Sequence, residues 1–144
     1  MTPQTRAQRC AAAMWAQDAA SQNLGMTIDS IGPGTARLSM PVRSDMLNGH
    51  GICHGGMIFT LADSAFAFAC NTYNIRTVAQ QNQITYLAPG HLGEVLVATA
   101  SEVARAGRSG TYDVTVTGGD GRVIALFRGL SRSIKGQHFD EDQA

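Results

Sequence analysis

Asp63 is the only charged residue in a run of sixteen, Gly55 to Cys70, that otherwise reads Gly-Gly-Met-Ile-Phe-Thr-Leu-Ala-Asp-Ser-Ala-Phe-Ala-Phe-Ala-Cys. A helix apolar on nearly every side is a buried helix. An ionised carboxylate in such a place either finds donors or shifts its pKa. One helical turn to either side stand Phe59, Thr60, Phe66 and Ala67, none of them cationic. Just upstream runs His50-Gly51-Ile52-Cys53-His54-Gly55-Gly56, a glycine-rich stretch with two histidines. A lone acid in a buried helix that begins at a His-Gly-Gly step has the parts of an active site. The competing reading is a hydrogen-bond hub that ties loops together, since perturbed acids are not always functional.

The neighbouring residues carry plainer alternatives too. Loop histidines such as His54 often do no more than satisfy a backbone group. His50, Cys53 and His54 offer metal-ligand chemistry, but no fourth ligand and no Cys-x-x-Cys spacing accompany them, so no metal is expected. Asn48 beside Gly49 is a common turn residue. Phe59, Phe66, Phe68 and Tyr73 read as core. Arg105 and Arg108 flank a glycine hairpin, where they could meet phosphates or simply lie in solvent. Gly49-His50-Gly51 lacks the strand-to-helix context of a nucleotide-binding loop.

The elements that must position these residues follow from pattern. Arg6 to Gln22 is Ala-rich without Gly or Pro and predicts a first helix, within an N-terminal segment 1–22. Gly25–Ile31 and Thr35–Met40 flank the turn Gly32-Pro33-Gly34 and predict two strands. In the second, Ala36, Leu38 and Met40 alternate with Arg37 and Ser39, the period of a half-buried strand. Pro41 to Cys53 is a loop, and the buried helix runs from about Gly55 to Asn71. Strands are expected at Thr77–Leu87, Glu94–Val103, Thr111–Thr117 and Val123–Ser133, with turns at Pro89-Gly90, Ala106-Gly107 and Gly118-Gly119-Asp120-Gly121. These four are expected to form a meander. The tail 136–144 is polar and expected to fray. The class is α+β in a single domain, 1–144. One sheet cannot bury the central helix on all sides unless it curls around it or a partner covers the rest, so an oligomer is expected.

With these elements in place, the string Asn48-Gly49-His50-Gly51-Ile52-Cys53-His54-Gly55-Gly56 followed by Leu61-Ala62-Asp63 resembles the hotdog-fold acyl-CoA thioesterases. More narrowly it is similar to the phenylacetic acid degradation thioesterase group, over about Ala11 to Ser133. The resemblance implies a curled antiparallel sheet wrapped around one long helix. It implies that Asp63 is the nucleophile or general base, that Gly55 offers its N–H to the thioester oxygen, and that Asn48 and His54 orient the thioester and the acid. Gly56, Arg105 and Arg108 are carried as substrate contacts. It further implies a site shared across a dimer interface, and a tetramer. Some relatives hold the attacking water with a Ser or Thr on the strand after the helix; here that position is Ala79, with Gln80, Gln81 or Asn82 as substitutes.

The physics fits. Thioester hydrolysis passes through a tetrahedral oxyanion, which a helix N-terminal N–H stabilises. Gly55 and Asp63 are eight residues apart, about 12 Å along one axis, too far to touch one carbonyl from a single chain. A site between two antiparallel helices is favoured.

Composition bounds the rest. The 144 residues carry 15% charged residues and a formal net charge of zero, which argues against nucleic acid or anionic membrane as a partner. Of the eleven bases only Lys135 is a lysine. Cys10, Cys53 and Cys70 read as reduced thiols in a cytoplasmic protein. The first residues lack a signal-peptide core. The expected function is hydrolysis of aryl-acetyl-CoA or a related acyl-CoA without a cofactor, coenzyme A being part of the substrate. The rival readings are a hydroxyacyl-thioester dehydratase or hydratase, and a non-catalytic acyl-CoA-binding module.

Overall fold

A computed structural model describes residues 1–143. The elements in chain order are α1 (Pro3–Trp15), α2 (Ala19–Asn23), β1 (Thr27–Gly32), β2 (Thr35–Pro41), α3 (Gly55–Cys70), β3 (Thr77–Tyr86), β4 (Val95–Ala106), β5 (Ser109–Thr117) and β6 (Val123–Ser133), with short 3-10 turns at Ser44–Met46 and Glu141–Gln143. All six strands form one antiparallel sheet in the order β1-β2-β4-β5-β6-β3. α3 lies across its concave face. This is the hotdog arrangement that the family resemblance implies.

Of the expected meander β4-β5-β6 forms, but β3 does not join it beside β4. β4 pairs with β2 in unbroken register from Pro41↔Val95 to Thr35↔Ser101, which leaves no slot for β3 beside it. α3 instead carries the chain across the sheet, and β3 pairs with β6 at the far edge. The stretch from Leu87 to Glu94 therefore crosses back over the end of the sheet instead of closing a hairpin.

Curling comes from register shifts at Ile28/Ser30, Ala79/Gln81, Glu102/Ala104 and Val116/Thr117, since an extra residue on one strand bends it and increases its twist. Small residues let the helix sit close. Ala98, Ala100 and Ala125 on the sheet and Ala62, Ala65 and Ala69 on α3 are all fully buried. At Gly129 a Cβ would stand 2.6 Å from the Phe66 ring, so only glycine lets that ring lie flat on β6.

Two expectations about the chain ends are corrected. The predicted first helix is broken after Trp15, because Asp18 accepts the Ser21 N–H at 3.0 Å and caps a separate α2. The tail does not fray over residues 136–142, while Ala144 lies outside the described residues. Asn74, buried with φ 58°, accepts the N–H of His138 at 2.9 Å and donates to the Phe139 carbonyl at 3.0 Å. Glu141 pairs with Arg6 at 2.7 Å, and the Arg9 guanidinium stands 4.2 Å from the Phe139 ring centroid. A polar pattern hides these partners, which lie on distant segments.

Candidate active site

The loop before α3 is built to present one amide. Asn48 Oδ1 accepts from the N–H of His50 at 3.0 Å and of Ile52 at 3.3 Å, which folds the loop back on itself. His54 then caps the helix: its Nδ1 accepts from the Gly56 N–H at 2.9 Å, leaving the ring proton on Nε2. The N–H groups of Met57 and Ile58 reach the His54 carbonyl at 2.9 and 3.4 Å. Of the first four amides of α3, Gly55 alone finds no acceptor among the described residues. Its carbonyl is held by the Tyr86 hydroxyl at 2.9 Å. A Cβ at position 55 would lie 3.1 Å from the Tyr86 ring, so glycine permits this approach. Beside the free N–H opens a cleft of about 380 Å³, lined by Asn48, Gly55 and Tyr86 with the apolar side chains of Ile52, Ile58 and Leu87.

Two turns further along α3, Asp63 is half-buried. The Asn82 amide on β3 donates to its Oδ1 at 2.9 Å. Burial pushes the carboxyl pKa up, the Asn82 hydrogen bond pulls it down, and the Asp18 charge adds to the rise. Asp18 is tied to the same region through Ser21, whose hydroxyl donates to Asp18 at 2.7 Å and lies 2.8 Å from the Ser64 hydroxyl. The result is a weakly solvated acid, a stronger base than an exposed aspartate.

Asn48, His54 and Gly55 are thus brought together, and Asp63 stands about 12 Å away along the same helix. Gly56 is adjacent, but its N–H is spent on His54, so that amide has no free donor for a substrate. Arg105 and Arg108 are not brought to this end. They line a small pocket with Cys70 and Tyr73 at the C-terminal end of α3, where the Arg105 guanidinium covers the Tyr73 ring at 3.6 Å. His50 is exposed, while the buried Cys53 thiol has its pKa raised by burial. Among the described residues no cluster of three His, Cys, Asp or Glu side chains is placed to hold a metal ion.

The sequence from His50 to Ala125 matches the family model of the thioesterase superfamily, covering the capped glycine step, α3 and β3. The chain belongs to the thioesterase superfamily. Among thioesterases it is 43% identical to acyl-coenzyme A thioesterase PaaI of Escherichia coli K12 over 86% of this chain and 89% of the relative. The solved structure of E. coli PaaI, from the phenylacetic acid degradation operon, superposes with a TM-score of 0.93 over 94% of this chain and 99% of that one, at 40% identity. A mutant of the phenylacetic acid degradation protein PaaI of Thermus thermophilus gives 0.79 at 38% identity, over 81% of this chain and all (100%) of that one. A hypothetical thioesterase of Streptococcus pneumoniae, solved with coenzyme A, gives 0.74 at 27% identity over 78% and 90%.

Two residues of the candidate site in this thioesterase are not evident from sequence in the places they hold. Tyr86 reads as the end of a strand, and Asn82 as one of three substitutes for a water-holding group. Both face inward from β3, on the same side as Ile84. The signal lies in the alternation Asn82-Gln83-Ile84-Thr85-Tyr86, but the bulge at Gln80 and the edge position of β3 obscure which face is inner.

Proposed function

We propose that this thioesterase hydrolyses acyl-CoA, with aryl-acetyl-CoA as its substrate class, and that each site is completed by two copies of the chain. The observation that carries the reading is the free Gly55 N–H at the positive end of α3, opening on an apolar cleft. In the reaction, water attacks the thioester carbon as Asp63 takes one of its protons, and the carbonyl oxygen becomes an oxyanion held by the Gly55 N–H. Collapse breaks the C–S bond; the electron pair leaves on sulfur, which takes the proton back from Asp63. The products are a free acid and coenzyme A. Asn48 keeps its Oδ1 in the loop and offers its NH₂ to the cleft, and the His54 cap holds the helix end in place. Neither a metal nor a cofactor enters these steps.

Sharing the site follows from distance and from an open edge. Gly55 and Asp63 of one chain are too far apart to meet one carbonyl. β3 is an edge strand of ten residues, Thr-Val-Ala-Gln-Gln-Asn-Gln-Ile-Thr-Tyr, with neither charge nor proline to block pairing. Such an edge is normally covered. Pairing two copies along β3 sets their α3 helices antiparallel and brings Gly55 of one toward Asp63 of the other. The relatives named for phenylacetic acid degradation support the aryl-acetyl class, and the relative solved with coenzyme A supports a CoA ester. Three buried, unpaired cysteines support the cytoplasm as its place. No described helix is long and apolar enough to cross a membrane.

The test is thiol release over a panel of phenylacetyl-, hydroxyphenylacetyl-, short-chain and long-chain acyl-CoA. The expected result is hydrolysis with the aryl-acetyl esters preferred by kcat/KM. Loss of water from a hydroxyacyl-CoA, or binding without turnover on any member, would replace this reading with one of its rivals.

A further inference from the structure

Among the described residues the one side chain from outside α3 that hydrogen-bonds Asp63 is Asn82, and its carboxamide is used on one side only. Nδ2 donates to Asp63 Oδ1 at 2.9 Å, whereas Asn82 Oδ1 is buried and is the sole buried side-chain polar atom left without a partner among the described residues. An unpaired buried acceptor costs stability. A position on the inner face of β3, two residues from Ile84 and opposite Gly129, would pack better with an apolar side chain. Turning the amide round would give Oδ1 no relief, because it would then face the carboxylate oxygen. Local rules broken without a packing gain mark functional positions.

We propose that Asn82 is a positioning residue for the hydrolysis, fixing Asp63 through Oδ1 so that the free Oδ2 is the oxygen that takes the proton of water. This rests on the reading of Asp63 as the acid of the proposed reaction. Asp63 Oδ2 accepts no hydrogen bond among the described residues, so a single donor on Oδ1 sets the direction of the other oxygen. The same bond opposes burial and holds the carboxyl pKa below where burial alone would put it. The charged neighbour is Asp18 at the cap of α2, which works against ionisation; the Cys70 thiol on α3, pushed up to about 12, stays neutral. On β6, Arg128 and Arg132 stand on the outer face of the sheet, away from Asp63. Asn82 is therefore the group that counters burial at this acid.

The test compares Asn82→Ala, Asn82→Leu and Asn82→Asp with the unaltered protein, and runs Asp63→Asn in parallel. Asn82→Ala and Asn82→Leu should lower kcat by about 10–100-fold with KM within about twofold, the pattern of a lost transition-state arrangement. The acid limb of kcat/KM should move to higher pH. Asn82→Asp should move it further, since two adjacent carboxylates share one charge poorly. Melting temperature should hold or rise in Asn82→Leu, which removes the unpaired oxygen. A kcat and acid limb unchanged in Asn82→Ala would overturn the proposal. So would a fall in kcat that tracks a fall in melting temperature with the pH profile unmoved, or failure of both the Ala and Leu variants to fold. Hydrolysis that survives Asp63→Asn would bring down the proposed function itself, whatever Asn82 does.

Discussion

Folding raises the pKa of Asp63, and that single direction ties its reactivity to a stability cost. Because the folded pKa lies above the unfolded one, near 3.9, the native state binds more protons in the window above about pH 4. Stability contributed at this position is therefore present at low pH and is lost as pH rises through the folded value. Asp63→Asn removes that penalty. It should melt higher than the parent at pH 7, with the gap closing toward pH 4, while hydrolysis falls by about 10²–10⁴. Thermal melts across pH beside a thiol-release assay check both halves; a variant less stable at pH 7 would contradict the sign. Gly55 permits an equally direct test. Proline is tolerated at the first helical position, and His54 before it is already extended at φ −60°, ψ 134°. Gly55→Pro deletes the free N–H and should lower kcat by about 10²–10³. Gly55→Ala keeps the N–H but brings the same crowding against Tyr86, and it should stay much closer to the parent.

α3 and β3 act as two rulers laid side by side. Tyr86 meets Gly55 and Asn82 meets Asp63, so four strand residues, about 13 Å, match eight helical residues, about 12 Å. That match decides where the acid stands relative to the capped end, and it rests on how closely α3 approaches the sheet. Gly129→Ala would place a methyl 2.6–2.7 Å from the Phe66 ring and should destabilise by about 1–3 kcal/mol, measured by denaturant unfolding. Trimming the ring in Gly129→Ala/Phe66→Leu should cost less than the sum of the two single changes, a non-additivity that separates this clash from a general loss of β6. The helix itself is legible from sequence, because a run of sixteen mostly apolar residues with Asp63 as its one charge admits few other readings, and so is the glycine step that begins it. The pairing of β3 with β6 is not, because short turns and alternation describe a strand without naming its neighbour. Asn82 and Tyr86 acquire their places at the site only once that pairing is known. That His54 satisfies a backbone group is among the readings its sequence allows, but that the group is the Gly56 N–H at the start of α3 comes only with the structure.

At the scale of the whole molecule, the proposed function divides each site between two copies of the chain. In that proposal the capped end of one chain offers Gly55 and Asn48 to a thioester, and its Asp63 serves the cleft of another copy. The uncharged edge at β3 is the joint we propose, and light scattering should then find a dimer or a multiple of it; an active monomer near the chain mass of 15.2 kDa would contradict the arrangement. Mixed assemblies give the stricter test. Homodimers of Asp63→Asn lack the acid in both sites, and homodimers of Gly55→Pro lack the oxyanion donor in both. A heterodimer of the two has one site that carries both substitutions and one in which Asp63 of one chain faces Gly55 of the other. That second site is intact. With the two sites independent, co-expressed and separately tagged heterodimers should recover about half the parental rate per dimer. If acid and amide instead acted within one chain, each site of the heterodimer would carry one lesion, and the mixture would be as inactive as its parents.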